Sequence, residues 1–182
     1  MFKMMTERII IAGSGGQGIM LLGKLLAQSA LIAQKHTTWF PCYGAEVRGG
    51  SAYCMVVISD KEIASPLIEK PDTLIVFNQQ AFLRFKEKIT NQTLVIVNQS
   101  LAGEVKLKAK KIINVPLSEI AHRLGNVRVA NCVAFGVYLA EKKLFSLAEV
   151  FSAMKELAGE GKEDLIALNQ KAIEEGLRYG SR

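Results

Sequence analysis

Apolar and polar positions alternate along the first two thirds of the chain in blocks that are short, dense and separated by polar breaks. "ERIIIAG" is a compact β-branched run that ends in glycine, the pattern of a strand buried on both faces of a parallel sheet. The stretch from Ile19 to Lys35 then lacks proline and any β-branched run, and it predicts a helix that is apolar around most of its circumference. Lys24, Gln28 and Lys35 leave it only a narrow polar stripe, so sheet and neighbour, in this chain or another, must cover it together. "TTWFPCY" and "SAYCMVVIS" read as two strands joined by a glycine-bearing segment. "DTLIVFN", "TLVIVN" and "KIINVP" are three more, with the helical "QQAFLRFKEKI" between the first two and Pro116 stopping the last.

After Pro116 only helical patterns remain: "LSEIAHRL", "VANCVAFGVYLAEKK", "SLAEVFSAMKELA" with Ser146 as N-cap, and "EDLIALNQKAIEEGLRY". Strands alternate with helices first and helices gather last. The expected fold is therefore an α/β, Rossmann-like three-layer sandwich with a mostly parallel sheet and a helical C-terminal part. At 182 residues, a single domain over 1–182 is the expectation.

Composition narrows the function classes. The N-terminal segment is too short and too polar for a signal-peptide core, and no stretch is apolar enough for a membrane span, so a soluble cytoplasmic protein is expected. Cys42, Cys54 and Cys132 lack C-x-x-C spacing and read as reduced structural thiols rather than a disulfide, zinc or iron-sulfur framework. His36 and His122 are isolated, and no metal site is expected. The net charge of +6 admits a nucleic acid or a polyanionic cofactor. Its densest cluster, Lys106, Lys108, Lys110 and Lys111, alternates with apolar residues and reads as the solvated face or edge of a strand, so no nucleic-acid partner is expected.

"GSGGQG", Gly13 to Gly18, follows the first strand and opens the first helix with dinucleotide spacing. Gly13 suits a tight turn, Gly15 a close ligand approach, and Gly18 close packing of helix on sheet. Free N–H groups at the helix start favour a phosphate or carboxylate. A NAD site also needs an acidic residue about 20 positions on. None occurs between Glu7 and Glu46, and no G-K-[ST] follows the glycines. The loop, with Ser14, Gly16 and Gln17, is either an anion site or a purely structural junction.

In "PCYGAEVRGGS", Glu46 and Arg48 lie two residues apart between glycines. They either fix the loop, or Arg48 grips a carboxylate or phosphate of a ligand or partner with Glu46 orienting it.

These two motifs, together with "LGNVRVANCVAFGVYLA", resemble the gamma-subunit family of the 2-oxoacid:ferredoxin oxidoreductases, the pyruvate/ketoisovalerate oxidoreductase domain, over most of the chain and in the same order. The resemblance implies a subunit of an enzyme that oxidatively decarboxylates a 2-oxoacid to acyl-CoA. The assembled enzyme uses thiamine diphosphate, magnesium, iron-sulfur clusters and coenzyme A, and passes electrons to ferredoxin or another acceptor. Thiamine and clusters belong to other subunits, and none of these groups is expected on this chain alone. The implied partners are alpha, beta and ferredoxin-like delta subunits, and the isolated chain is expected to be inactive. Carried over by residue, Gly13, Gly15, Gly16, Gln17 and Gly18 match the glycine loop. Tyr43, Gly44, Glu46, Arg48, Gly49 and Gly50 match the second motif, and Asn131 and Gly136 match the helix motif; no catalytic residue is assigned. The second motif looks most like the 2-oxoglutarate branch, with pyruvate and branched-chain 2-oxoacids as alternatives. A stand-alone nucleotide-binding oxidoreductase is the competing reading.

Overall fold

The computed structural model describes residues 5–43, 50–159 and 161–180. Among these are six strands: β1 (Thr6–Ser14), β2 (His36–Tyr43), β3 (Ser51–Ser59), β4 (Thr73–Val76), β5 (Leu94–Asn98) and β6 (Lys111–Val115). The α-helices are α1 (Ile19–Ile32), α2 (Gln79–Phe85), α3 (Gln99–Ala102), α4 (Leu117–Arg123), α5 (Ala130–Lys142), α6 (Leu147–Ala158) and α7 (Glu163–Gly180). The strands form one sheet in the order β2-β3-β1-β4-β5-β6. β1, β4, β5 and β6 run parallel, while β3 pairs antiparallel with both β1 and β2. The sheet is thus a parallel half with an antiparallel hairpin on its first strand.

β1 is central because its side chains are apolar on both faces. Ile9 and Ile11 pack into a thick layer built by α1, α4, α5, α6 and α7, whereas Ile10 and Ala12 face a thinner layer under α2 and the flanking connections. All three isoleucines are fully buried, each stabilising by roughly 1.5–3 kcal/mol. The three layers expected from the pattern are present. Helix α1 stops at Ile32, three residues short of the sequence expectation, because Gln34 turns left-handed (φ 55°) and Lys35 N–H returns to the Ala30 carbonyl. Its polar stripe makes contacts within the chain: Gln28 donates to Glu156 on α6 at 2.6 Å, and the exposed Lys24 ammonium lies 5.1 Å from the Trp39 ring.

The alternating lysine segment is not a strand, which corrects the expectation. Only Lys111 belongs to edge strand β6, and Lys106, Lys108 and Lys110 lie in the bent connection before it. The Asn114 side chain explains the substitution: its Oδ1 accepts from Val105 N–H and its Nδ2 donates to the Val105 carbonyl, at 3.0 and 3.1 Å. One amide side chain thereby satisfies backbone that a strand neighbour would otherwise pair. Ser146 does cap α6, in a reciprocal capping box with Glu149.

Helices α5 and α7 cross at glycines. A Cβ on Gly136 would fall on the Ile173 carbonyl oxygen, and one on Gly176 on the Val133 carbonyl oxygen. Gly136 therefore serves helix packing. Under this crossing, Glu7 is buried but paired, accepting from Thr73 Oγ1 at 2.6 Å and lying 2.9 Å from Lys142 Nζ. Burial, then the charges of Glu7 and Asp72, holds the Tyr138 phenol well above its usual range, and its Oη has no hydrogen-bond partner among the described residues.

Two substitutions test this packing. Gly176→Ala should cost about 2 kcal/mol through overpacking against backbone, lowering the melting temperature by roughly 6 °C. Tyr138→Phe should be neutral or slightly stabilising, since it removes a buried hydroxyl that gains no bond. Scanning calorimetry reads both; an unchanged melting temperature for the first, or a marked fall for the second, contradicts the assignment.

Candidate functional site

Parallel strands deliver their connections to one edge of the sheet, and here the glycine motif arrives there as the turn from β1 into α1. Gly13, still in β1, must be glycine for packing: a Cβ there would lie 2.8 Å from Ile19 Cδ1 and 2.9 Å from Phe77 Cβ. Gly16 (φ 90°) and Gly18 (φ 74°) take left-handed conformations, which carry the chain from strand to helix without a Cβ clash. The roles expected from spacing are therefore redistributed, with close packing at Gly13 and Gly18 and turning at Gly16 and Gly18.

Side chains fix this turn from three directions. Gln17 folds back so that its Oε1 accepts from Ser14 N–H at 2.7 Å and from Asn78 Nδ2 at 3.3 Å. Asn78, two residues beyond β4, caps α2 through Ala81 N–H and donates to Ser14 Oγ at 2.8 Å. On the other face Asn131, in the first turn of α5, donates to the Gly18 carbonyl at 3.2 Å and accepts from Cys132 N–H. A Cβ on Gly18 would collide with the Asn131 side chain.

The second motif reaches the same place. Strand β2 ends, and β3 begins, at this edge; Ser51 is the register partner of Ser14, and Gly15 N–H donates to the Gly50 carbonyl at 3.0 Å. Residues 13–18, 50–51 and 131 thus meet although they lie far apart in sequence. Tyr43 closes β2. Gly44, Glu46, Arg48 and Gly49 lie outside the described residues.

The hydrogen bonds decide which groups are available. Ser14, Gly15 and Gln17 have spent their N–H groups within the chain, on Gln17 Oε1, the Gly50 carbonyl and the Ser14 carbonyl. Gly16 and Gly18 retain N–H groups with no partner among the described residues, and α1 has no acidic residue in its first turn and no side-chain cap. With the positive end of a 14-residue helix behind them, these donors suit an oxyanion. From Leu21 in the first turn an apolar cleft of about 140 Å³ opens between α1, α6 and α7, lined also by Leu25, Cys132, Met154 and Leu165.

The topology disfavours a dinucleotide. In a NAD-binding unit the acidic ribose ligand ends the strand beside β1. Here β3 occupies that position and runs antiparallel, and β2 is displaced one strand further out.

Sequence reasoning missed Asn78, Ser51 and Arg84. Arg84 Nη1 donates to Ser51 Oγ at 2.8 Å, with its guanidinium 4.7 Å from the Tyr53 ring centre. A hydrogen bond with Cys42, then burial, holds the Tyr53 phenol above its ordinary value, while Arg84 acts in the opposite direction. An asparagine directly after an apolar strand was the visible signal for Asn78, since that residue type caps helices. Among the described residues no group of three His, Cys, Asp or Glu converges to hold a metal ion. Burial pushes the Cys54 and Cys132 thiols up to about 12.

Those two thiols are neutral far above physiological pH, and each gains thiolate only as pH approaches its raised value. Iodoacetamide at pH 8 should therefore modify the native chain at Cys42, which is half-buried, and reach Cys54 and Cys132 only after denaturation. Peptide mass mapping checks this, and rapid labelling of native Cys132 would contradict the packing beside the glycine turn.

Residues 8–179 match the family model described as pyruvate ferredoxin/flavodoxin oxidoreductase. The chain is 37% identical over 175 residues to ketoisovalerate oxidoreductase subunit VorA of Methanothermobacter marburgensis, covering 96% of this chain and 37% of that protein. It therefore spans little more than a third of that relative's length. It is 30% identical to 2-oxoglutarate synthase subunit KorC of Methanothermobacter thermautotrophicus, covering 97% of each. Among solved structures, 2-oxoglutarate:ferredoxin oxidoreductase from Magnetococcus marinus, with 2-oxoglutarate, coenzyme A and succinyl-CoA bound, aligns with a TM-score of 0.81 at 25% identity, over 96% of this chain and 31% of that one. With the family model matching nearly end to end, the chain belongs to the pyruvate ferredoxin/flavodoxin oxidoreductase family.

Proposed function

We propose that this chain is the gamma subunit of a 2-oxoacid:ferredoxin oxidoreductase and contributes to assembly and to the coenzyme A side of the reaction. The observation that carries the reading is the match to a 2-oxoglutarate synthase subunit over 97% of both chains, which fits a separate subunit of this size. The domain-length match inside the longer ketoisovalerate relative fits the same unit fused to further chain. In the reaction, a 2-oxoacid and coenzyme A give acyl-CoA and carbon dioxide, and two electrons pass to ferredoxin or another acceptor.

Thiamine diphosphate with its magnesium supplies the decarboxylation chemistry, and iron-sulfur clusters carry the electrons; this reading places both on alpha, beta and delta partners. Cys54 and Cys132 are poor cluster ligands, because burial keeps both thiols protonated. Its own residues fit coenzyme A better. Gly16 and Gly18 N–H groups suit a phosphate, and the cleft beginning at Leu21 offers apolar surface beside them. Glu46 and Arg48 are assigned to contact with partner or cofactor. The oxoacid is set by pockets on the other chains. The 2-oxoglutarate assignment is supported by the equal-length relative, and the branched-chain alternative by the higher identity to the ketoisovalerate subunit.

Native purification of the tagged chain from its source cells tests the reading. Thiamine-enzyme and ferredoxin-like subunits should co-elute, and the complex should form acyl-CoA from one of 2-oxoglutarate, 3-methyl-2-oxobutanoate or pyruvate in preference to the others. A chain that elutes alone, or that reduces an acceptor with a 2-oxoacid by itself, would refute it.

A further inference from the structure

The positive charge of the chain is concentrated on one half of one face. Residues 79–111, from the start of α2 to the first residue of β6, hold seven lysines and arginines against two carboxylates, a net +5 of the chain's +6. They cover the thin side of the sheet: Ala81, Phe85 and Val105, with the half-buried Leu107 and Ala109, pack on the cluster that contains Ile10 and Ala12. Between these inward anchors Lys106, Lys108 and Lys110 are exposed, so the alternation of the lysine segment persists in a connection that is not a strand and turns three ammonium groups away from the sheet. The other connection on this face, residues 60–72, packs through Ile63 and Ile68 and carries two lysines against four carboxylates, so it does not share the positive charge.

Little of this charge is compensated locally. Lys106 lies 3.2 Å from Glu104 and Lys86 3.9 Å from Glu87, but all four side chains are open to solvent, where such pairs contribute little. Lys108 and Lys110 enter no ion pair among the described residues. Apolar surface lies among the cations: α2 and α3 pack side by side, and Leu83 and Leu101 on them are 52% and 51% exposed. A purely solvated lysine face has no use for those leucines. The phosphate backbone of a nucleic acid would meet the ammonium groups and leave both leucines uncovered. A protein surface can meet both, since interfaces combine apolar centres with charged rims whose sign selects the partner.

We propose that the thin layer from α2 to the connection before β6 is the docking face for an acidic protein surface, whose carboxylates meet Lys106, Lys108 and Lys110 and whose apolar side chains cover Leu83 and Leu101. It rests on the subunit reading and goes further, by naming the face used and the chemistry of the partner subunit that meets it. The opposite sign on residues 60–72 marks where that acidic surface ends.

The complex that co-purifies with the tagged wild-type chain is treated with a water-soluble carbodiimide, which joins an amine to a carboxylate only where the two touch, and is then mapped by mass spectrometry. Lys106, Lys108 or Lys110 should be joined to an aspartate or glutamate of another subunit, and all three should acetylate more slowly in the complex than in the isolated chain. A chain carrying Lys106→Glu, Lys108→Glu and Lys110→Glu together should retain its partner subunits on the order of tenfold less well at about 0.1 M salt, and Leu83→Ser should weaken retention less. Both variants should melt within about 2 °C of wild type when isolated, as surface changes do. A complex in which the three lysines form no link to another subunit and acetylate as they do in the isolated chain would overturn the docking face and leave the subunit reading standing. A chain that elutes alone would remove both. Binding of a duplex oligonucleotide by the wild-type chain, lost in the triple variant and unaccompanied by links to another subunit, would assign the face to a nucleic acid and refute the proposal.

Discussion

The burial of β1 on both faces is the constraint from which the rest of the molecule follows. A strand whose successive side chains are Ile9, Ile10, Ile11 and Ala12 needs apolar cover above and below and a backbone partner on each side. The thick helical layer takes one face and α2 with its neighbours takes the other. Antiparallel β3 and parallel β4 satisfy the two edges. Once those demands are met, the end of β1 has nowhere to go except over the sheet edge between the two layers, and there the glycine turn forms.

That turn is then shaped by polar contacts rather than by apolar packing. Gln17, Asn78 and Asn131 each commit an amide to it, from the turn itself, from the N-cap of α2 and from α5 respectively. Their combined effect is selective: the N–H groups of Ser14, Gly15 and Gln17 are consumed, and those of Gly16 and Gly18 have no partner among the described residues. Three sequence motifs that share no obvious chemistry are related because they supply the turn, its β-hairpin support and its α5 clamp.

Much of the fold was legible in the chain because local and tertiary preferences agree. The isoleucine run reads as a two-sided strand and Ser146 reads as the N-cap of a helix, and both are as expected. Legibility failed where a side chain took over a backbone role: the alternating lysine segment has strand periodicity, but Asn114 pairs with Val105 and β6 begins only at Lys111. At the site, spacing located the glycines correctly but could not apportion their roles. Which glycine must avoid Phe77 and which must turn left-handed depends on neighbours from β4 and α5. The contacts of Arg84 were invisible for the same reason, since they are made with a ring from β3 and a hydroxyl at the start of that strand. Gly44, Glu46, Arg48 and Gly49 were singled out by sequence and lie outside the described residues.

The glycine turn is preorganised, with its donors divided between groups bonded within the chain and groups that have no partner among the described residues. Residue-resolved amide hydrogen exchange on the isolated chain measures that division directly. Ser14 and Gly15, tied to Gln17 and Gly50, should exchange at least about tenfold more slowly than Gly16 and Gly18, which should approach the rates of unstructured amides. Uniformly fast exchange across residues 13–18, or protection of Gly16 and Gly18 in the absence of any ligand, would contradict the account.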